Sequence, residues 1–353
     1  PVVYLRPLSA CASSSSNDEI SCSLGAGAGM PVYQRLASMA PGAYALWVDS
    51  ASANIGPFQL AVRLEPSQPL PANDVCSGAQ PLSFTGDVSS VTGSTGSASN
   101  SQNGTTNTGP TCSSGAGSQG RDVVYSFVSP VAGQASIVLA PDPASTAFRP
   151  VVYVRGACET NSTSDELVCK EAGMAGKVVS VTTPTLVAGR PYFVYVDGAR
   201  ISGGGFRMDT RLGAPPNDTC ATARMIDLTT PSVDNRILDI TRLSVNDYGT
   251  SSPNPLPASC GNPSPGKDLV FLFIAPQTRS YTATLQPDSV FDAVLFRMEG
   301  SCAPASCVAG VNKGSTGNPE VMTFSATAGA TYWFVVDGYS SFSEGGGFSF
   351  KIE

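Results

Sequence analysis

Residues 1 to 7 read PVVYLRP, and residues 150 to 156 read PVVYVRG. The echo belongs to a long internal repeat, which constrains a fold strongly because each copy must be a unit that folds alone or against its neighbours. PANDVC (71–76) returns as PPNDTC (215–220), RDVVYSF (121–127) as KDLVFLF (267–273), and FRPVVYVRGAC (148–158) as FDAVLFRMEGSC (291–302). YFVYVDG (192–198) returns as YWFVVDG (332–338), and GGGFRMDTRL (203–212) as GGGFSFKIE (345–353). The unit is about 140 residues long, an ordinary domain size. Residues 1–66 match only its second half: PVVYLRPLSAC (1–11) aligns with the central line, YALWVDS (44–50) with the YxVxVDG line, and GPFQLAVRLEP (56–66) with the closing strand. The expected organisation is a half repeat over 1–66 whose leading half is absent, then complete repeats over 67–213 and 214–353.

The repeated lines are short runs of Val, Tyr and Phe bounded by Gly, Pro, Asp or Asn, which is how half-buried strands read. With 36 Gly, 28 Pro and only 13% charged residues, the chain favours strands and turns over amphipathic helices. An all-β fold of tandem, jelly-roll-like β-sandwiches is predicted. The tract 89–120 is low-complexity and reads as a long surface insertion between strands. Ten cysteines in near-neighbour spacing predict an oxidising, extracellular compartment and local disulfides: Cys11 with Cys22, Cys76 with Cys112, Cys158 with Cys169, Cys220 with Cys260, and Cys302 with Cys307. The opening residues are no translation start, so any signal peptide is expected to be gone already.

An opening NDxC, a strand reading DVVYSF or DLVFLF, a central strand, YxVxVDG, a Gly-rich turn and a final strand together resemble the bacterial pre-peptidase C-terminal (PPC-like) domains. The cysteine pairs are similar to those of large secreted proteins from myxobacteria and their relatives. The resemblance spans nearly the whole chain. It implies small β-sandwiches on secreted bacterial proteins, where they are accessory modules to many activities.

No histidine occurs anywhere, which removes Ser-His-Asp, Cys-His and His-metal chemistry. The carboxylate pairs Asp165–Glu166 and Asp18–Glu19 sit in loops that read as solvated, so no enzyme activity is expected. A net charge of -7 and a pI near 4.7 offer no phosphate-neutralising stripe, so nucleic acid is not an expected partner. No run of 18 apolar residues crosses a membrane as a helix. Asp197 and Asp337 of the VDG lines, with Asp74 and Asp218 before the cysteines, are the candidate ligands of a structural calcium ion; otherwise Asp-Gly simply turns the chain. No other cofactor is expected. GGGF lacks the strand-loop-helix setting of a phosphate loop and reads as a turn. Trp47 and Trp333 are expected in the core, and a glycan partner would come through surface loops or exposed aromatics. Half a sandwich exposes edges and an apolar face, so residues 1–66 are expected to be completed by another copy of the chain or by upstream repeats. The leading functional expectation is a secreted structural subunit of a fibre, sheath or surface layer; accessory domains of a larger secreted hydrolase or peptidase, or an adhesin, are the alternatives.

Overall fold

The computed structural model describes residues 1–24, 32, 34, 39–53, 55–62, 64, 69–101, 110–112, 120–159, 162–199, 202–228, 234–249, 252–257, 260–261, 264–339 and 345–353. It is all-β, with short 3-10 turns as its helical segments. By contact the chain divides into a small N-terminal unit and a large one that contains residues 100–353.

In the small unit, β1 (Val2–Pro7) lies between β2 (Ser21–Leu24) and β3 (Tyr44–Asp49), antiparallel to both. The aligned closing segment is not a strand here. Residues 55–62 have no regular structure, and Phe58, Leu60, Val62 and Leu64 are exposed. In the complete repeats the equivalent strand is received by two neighbours; the described residues of the small unit supply no such pair.

The large unit holds two sandwiches. The first has β4 (Gln80–Pro81), β5 (Val88–Ser94), β6 (Val123–Val128), β7 (Ala135–Pro141), β8 (Pro150–Arg155), β9 (Glu166–Glu171), β10 (Val179–Thr182), β11 (Pro191–Gly198) and β12 (Gly205–Leu212). Its sheets run β4-β6-β11-β8-β9 and β10-β7-β12-β5. The second has β13 (Arg224–Ile226), β14 (Ile237–Ile240), β15 (Leu269–Ile274), β16 (Arg279–Pro287), β17 (Ala293–Glu299), β18 (Cys307–Val311), β19 (Glu320–Ala326), β20 (Thr331–Gly338) and β21 (Gly347–Ile352). Its sheets run β13-β15-β20-β17-β18 and β14-β21-β16-β19, the same topology strand for strand. The small unit's order β2-β1-β3 is that of β9-β8-β11. Between the sheets of the second sandwich lies an aromatic core of Phe271, Phe273, Tyr281, Phe324, Phe334 and Phe350. The low-complexity tract is partly strand, since β5 occupies its first residues and pairs with β12 from Gly205↔Ser94 to Arg211↔Val88. Ser and Thr alternate there with the half-buried Val88 and Val91, and the partner strand overrides weak propensity.

The near-neighbour disulfides are overturned. Cys76 bonds Cys158, Cys112 bonds Cys169, Cys220 bonds Cys302, and Cys260 bonds Cys307, with Cα atoms 5.4 to 5.8 Å apart. Each bridge stays within its own sandwich, and the pairing is identical in the two. The cysteine loops cover the outer face of each five-stranded sheet, where Cys76, Cys112, Cys158 and Cys169 pack on Val124, Tyr153 and Tyr195. Spanning that face requires joining loops distant in sequence. Cys11 and Cys22 are free, also against expectation. Their counterparts Cys158 and Cys169 bond cysteines of the leading half-repeat, and the small unit's described residues contain no equivalent of those partners. Mass spectrometry of unreduced peptides should therefore recover Cys76 linked to Cys158 and Cys220 linked to Cys302; local pairs would refute the sheet-covering arrangement. Replacing both cysteines of the Cys220–Cys302 bridge, whose sequence separation is 82, should cost about 4 kcal/mol.

The two sandwiches are packed together through their four-stranded sheets. Every residue of β7 is buried, because its outward side chains meet the next sandwich. Val138, Ala140 and Val178 of the first form a cluster with Leu238 and Ile240 of the second. Gly347 follows the Gly345 turn (φ +77°), and its bare Cα is required there: a Cβ would collide with the Ser180 side chain of the first sandwich. The GGGF line is thus a close-approach device.

Candidate functional site: two buried carboxylate clusters

Both sandwiches bury carboxylates at the same place. Asp122 and Asp268 precede β6 and β15, Asp197 and Asp337 close β11 and β20, and all four are almost inaccessible to solvent. The Asp-Gly pairs are not turns. Asp197 pairs with Val151 and Gly198 with Pro150, as Asp337 pairs with Val294 and Gly338 with Ala293, so these are the last rungs of the strands. The carboxylates instead cap the chain: Oδ1 of Asp197 accepts from Gly198 N, and Oδ1 of Asp337 from Gly338 N, each at 2.6 Å. Oδ2 of Asp337 also accepts from the Ser264 hydroxyl.

The leading NDxC lines are anchored alike. Asn73 O accepts from Val124 N at 2.8 Å, and Asn217 O from Val270 N at 2.7 Å. Asp74 is buried. Asp218 is partly buried, accepts from Val245 N at 2.9 Å, and lies with Asp247 and Asp268, one carboxylate oxygen of each being within 4.8 Å of the others. Of the four sequence candidates the structure therefore places Asp218 in a carboxylate group, brings Asp337 close enough to raise the pKa of Asp268, and sets Asp197 against Asp122. Sequence reasoning missed Asp122, Asp268 and Asp247. The signal for the first two was present, an Asp opening both RDVVYSF and KDLVFLF, but it reads as strand punctuation.

The electrostatics differ between copies. In the first, burial and Asp122 push the Asp197 carboxyl well above the usual range, while Gly198 N–H and the Arg155 guanidinium oppose them. Arg155 is fully buried, sits over the rings of Tyr153 and Tyr195 at 4.9 and 5.4 Å, and pairs with Glu166 at 3.6 Å. Those rings are stacked, with centroids 4.7 Å apart. In the second, burial and the Asp337 charge push Asp268 up to about 9, against two backbone N–H donors from Tyr248 and Asp247.

A pH dependence follows from Asp197. Its folded pKa is raised, so between the unfolded carboxylate value of about 4 and the folded one the native state holds a proton that the unfolded chain releases. Stability of the first sandwich should fall as pH rises through that window, by up to about 1.4 kcal/mol per pH unit. Denaturant melts across pH should show the slope in the parent chain, and Asp197→Asn should reduce it by up to one proton's share, leaving the contribution of Asp268 and Asp337 in the second sandwich.

Trp47 is not in a core: it is 39% exposed and stacks on Tyr4 at 5.8 Å, with Arg6 over the Tyr4 ring at 5.0 Å. Trp333 is half-buried against the disulfide-bearing cluster. The chain has three Asn-X-Ser/Thr glycosylation sequons, at Asn103, Asn161 and Asn217; Asn103 and Asn161 lie outside the described residues, as do 102–109 and 113–119 of the low-complexity tract. Asn217, in the third sequon, is buried and donates to Val270 O at 3.3 Å. No helix among the described residues is long and apolar enough to cross a membrane.

No family model matches the chain, and no curated protein does. Among solved structures it is similar to tripeptidyl peptidase 2 (10% identity, TM-score 0.22, covering 77% of this chain and 24% of that one). It is also similar to the CUB1-EGF-CUB2 domains of rat MASP-1 (8% identity, TM-score 0.18, covering 77% and 100%). A third is the N-terminal CBM22-1-CBM22-2 tandem domain from Paenibacillus barcinonensis Xyn10C (10% identity, TM-score 0.19, covering 69% and 84%). The chain thus spans about a quarter of the peptidase's length. TM-scores near 0.2 give these likenesses no weight for function.

Proposed function

We propose that the chain is a non-catalytic, extracellular structural segment, a tandem of PPC-like β-sandwiches that acts as a stiff spacer in a fibre, sheath or surface layer. The observation that carries this reading is the packed interface between the sandwiches. Its cluster of Val138, Ala140, Val178, Leu238 and Ile240 and its polar bonds make two repeats one body, which suits load-bearing better than loosely tethered modules. The four disulfides, each covering an outer sheet face, add the durability that an oxidising environment allows. Partner strands completing the small unit would find the free Cys11 and Cys22 and the exposed alternation Phe58, Leu60, Val62, Leu64. Electron microscopy of native, unreduced material tests the reading: rods in register within an assembly support it, whereas dispersed single particles would count against it.

A second reading, glycan contact, is favoured by the exposed Trp47 stacked on the half-buried Tyr4, since an exposed aromatic face can stack on a sugar ring. A glycan array with the parent chain and Trp47→Ala decides it, because binding must be present and lost together with the indole.

A further inference from the structure

The two sandwiches meet the same electrostatic problem with different residues. Register fixes the correspondence: Arg155 faces Phe193 across β8 and β11, Met298 faces Trp333 across β17 and β20, and the same irregularity precedes both. The position of the first sandwich's buried guanidinium is thus an apolar side chain in the second, packed with Tyr248, Val270, Phe296 and Val335. A second correspondence lies in the chain before these strands. Ser101 N donates to Asp122 Oδ2, and Asp247 N donates to Asp268 Oδ2, both at 2.8 Å. The hydroxyl of the first copy, which also bonds Asp122, is a carboxylate in the second. From the first to the second sandwich, one internal cation is removed and one carboxylate is added.

What remains in the second is a group of Asp218, Asp247 and Asp268 oxygens within 4.8 Å of one another, with the Asp337 charge also acting on Asp268. Oxygens around one calcium, at about 2.4 Å each, lie no farther apart than roughly twice that distance. Two deeply buried acceptors have no hydrogen-bond partner among the described residues: Asp268 Oδ1, and Asn217 Oδ1 in the residue next to Asp218. A buried acceptor without a donor is costly unless a cation or water serves it. Lys267 acts on Asp218, but its ammonium donates to Arg242 O at 2.6 Å.

We infer that the second sandwich binds one divalent cation of the calcium class through Asp218, Asp247 and Asp268, and that Arg155 takes the place of that ion in the first. The site ties the leading NDxC line and the segment around Asp247 to the start of β15, so the ion clamps three separate stretches of the second repeat.

The test is calorimetric titration of calcium into the full 353-residue chain, with thermal melts in calcium and in chelator. The expected result is one equivalent bound and a higher melting temperature in calcium. Asp247→Ser installs the first copy's residue and keeps the backbone donor to Asp268; it should weaken binding about tenfold or more. Met298→Arg installs the first copy's cation and should abolish the calcium response while the chain still melts cooperatively in chelator. Because Asp247 is only partly buried, its variant keeps the test decisive even if the buried Met298→Arg protein does not fold. No heat and no melting shift with the parent chain, or unchanged affinity in Asp247→Ser, would overturn the assignment.

Discussion

Arg155→Met should destabilise the first sandwich by about 3–5 kcal/mol, the cost of deleting one partner of a buried charge group. The guanidinium is fully buried, and its ion-pair partner Glu166 has a side chain only 3% exposed. Without it Glu166 keeps only the Thr111 N–H and hydroxyl as described donors, and Asp197 loses the cation that draws its carboxyl down. The stacked Tyr153 and Tyr195 also lose the charge lying over their faces, worth about 1–2 kcal/mol where both groups are desolvated. In a domain of this size such a loss lowers the melting temperature by roughly 10 °C. Differential scanning calorimetry in chelator reads it directly, and the pH window over which the first sandwich loses stability should extend to higher pH as Asp197 holds its proton more firmly. A variant that melts with the parent chain would show that Arg155 is not the charge on which this cluster depends. The same substitution is tolerated by design in the second sandwich, where Met298 lies in an apolar cluster.

That contrast shows which layer of the molecule is legible in the sequence. Strand lines such as RDVVYSF and YFVYVDG are visible because alternation and β-branching are local properties, and their recurrence reveals a common architecture. The pairing of cysteines is not local. Cys76 and Cys158 meet because their loops cross one sheet face, so spacing points to the wrong partner. Asp122 and Asp268 stand in the quoted lines, yet burial, which is a property of the assembled sandwich and not of the line, turns a punctuation residue into an electrostatic problem. Nor could the alignment show that Arg155 and Met298 are equivalent with opposite consequences; that takes the strand register. The contact between sandwiches left one trace, the apolar run Ile137–Pro141 of β7, which alternation would have interrupted had its outer face met water.

Asp288→Ala should uncouple the two sandwiches. Asp288 is fully buried, and its Oδ2 accepts from Lys170 Nζ at 2.9 Å and Ser180 Oγ at 2.5 Å, both in the first sandwich. Gly347 N of the second donates to Ser180 Oγ at 3.0 Å and to Asp288 Oδ2 at 3.3 Å, which closes a polar ring across the interface. Alanine leaves Lys170 facing the interface without its carboxylate and removes the acceptor around which Ser180 and Gly347 are arranged. Breaking a buried charge pair in this way costs about 3–5 kcal/mol. The apolar cluster beside it holds only five side chains, and full burial of each contributes about 1.5–3 kcal/mol at most. Part of that gain persists in a loosened pair, but it must also meet the entropy of fixing two bodies together. The parent chain should therefore melt its two sandwiches as one transition, and Asp288→Ala should split it in two while the radius of gyration in solution scattering grows. An unchanged single transition and an unchanged radius would mean that the apolar cluster alone holds the sandwiches, and stiffness would then rest on Val138, Leu238 and Ile240 rather than on the charge. Lys170→Met discriminates further: it removes the partly buried ammonium but leaves the Ser180 and Gly347 bonds to Asp288 in place, so a smaller splitting than that of Asp288→Ala is expected if the ring, and not the ion pair alone, carries the coupling.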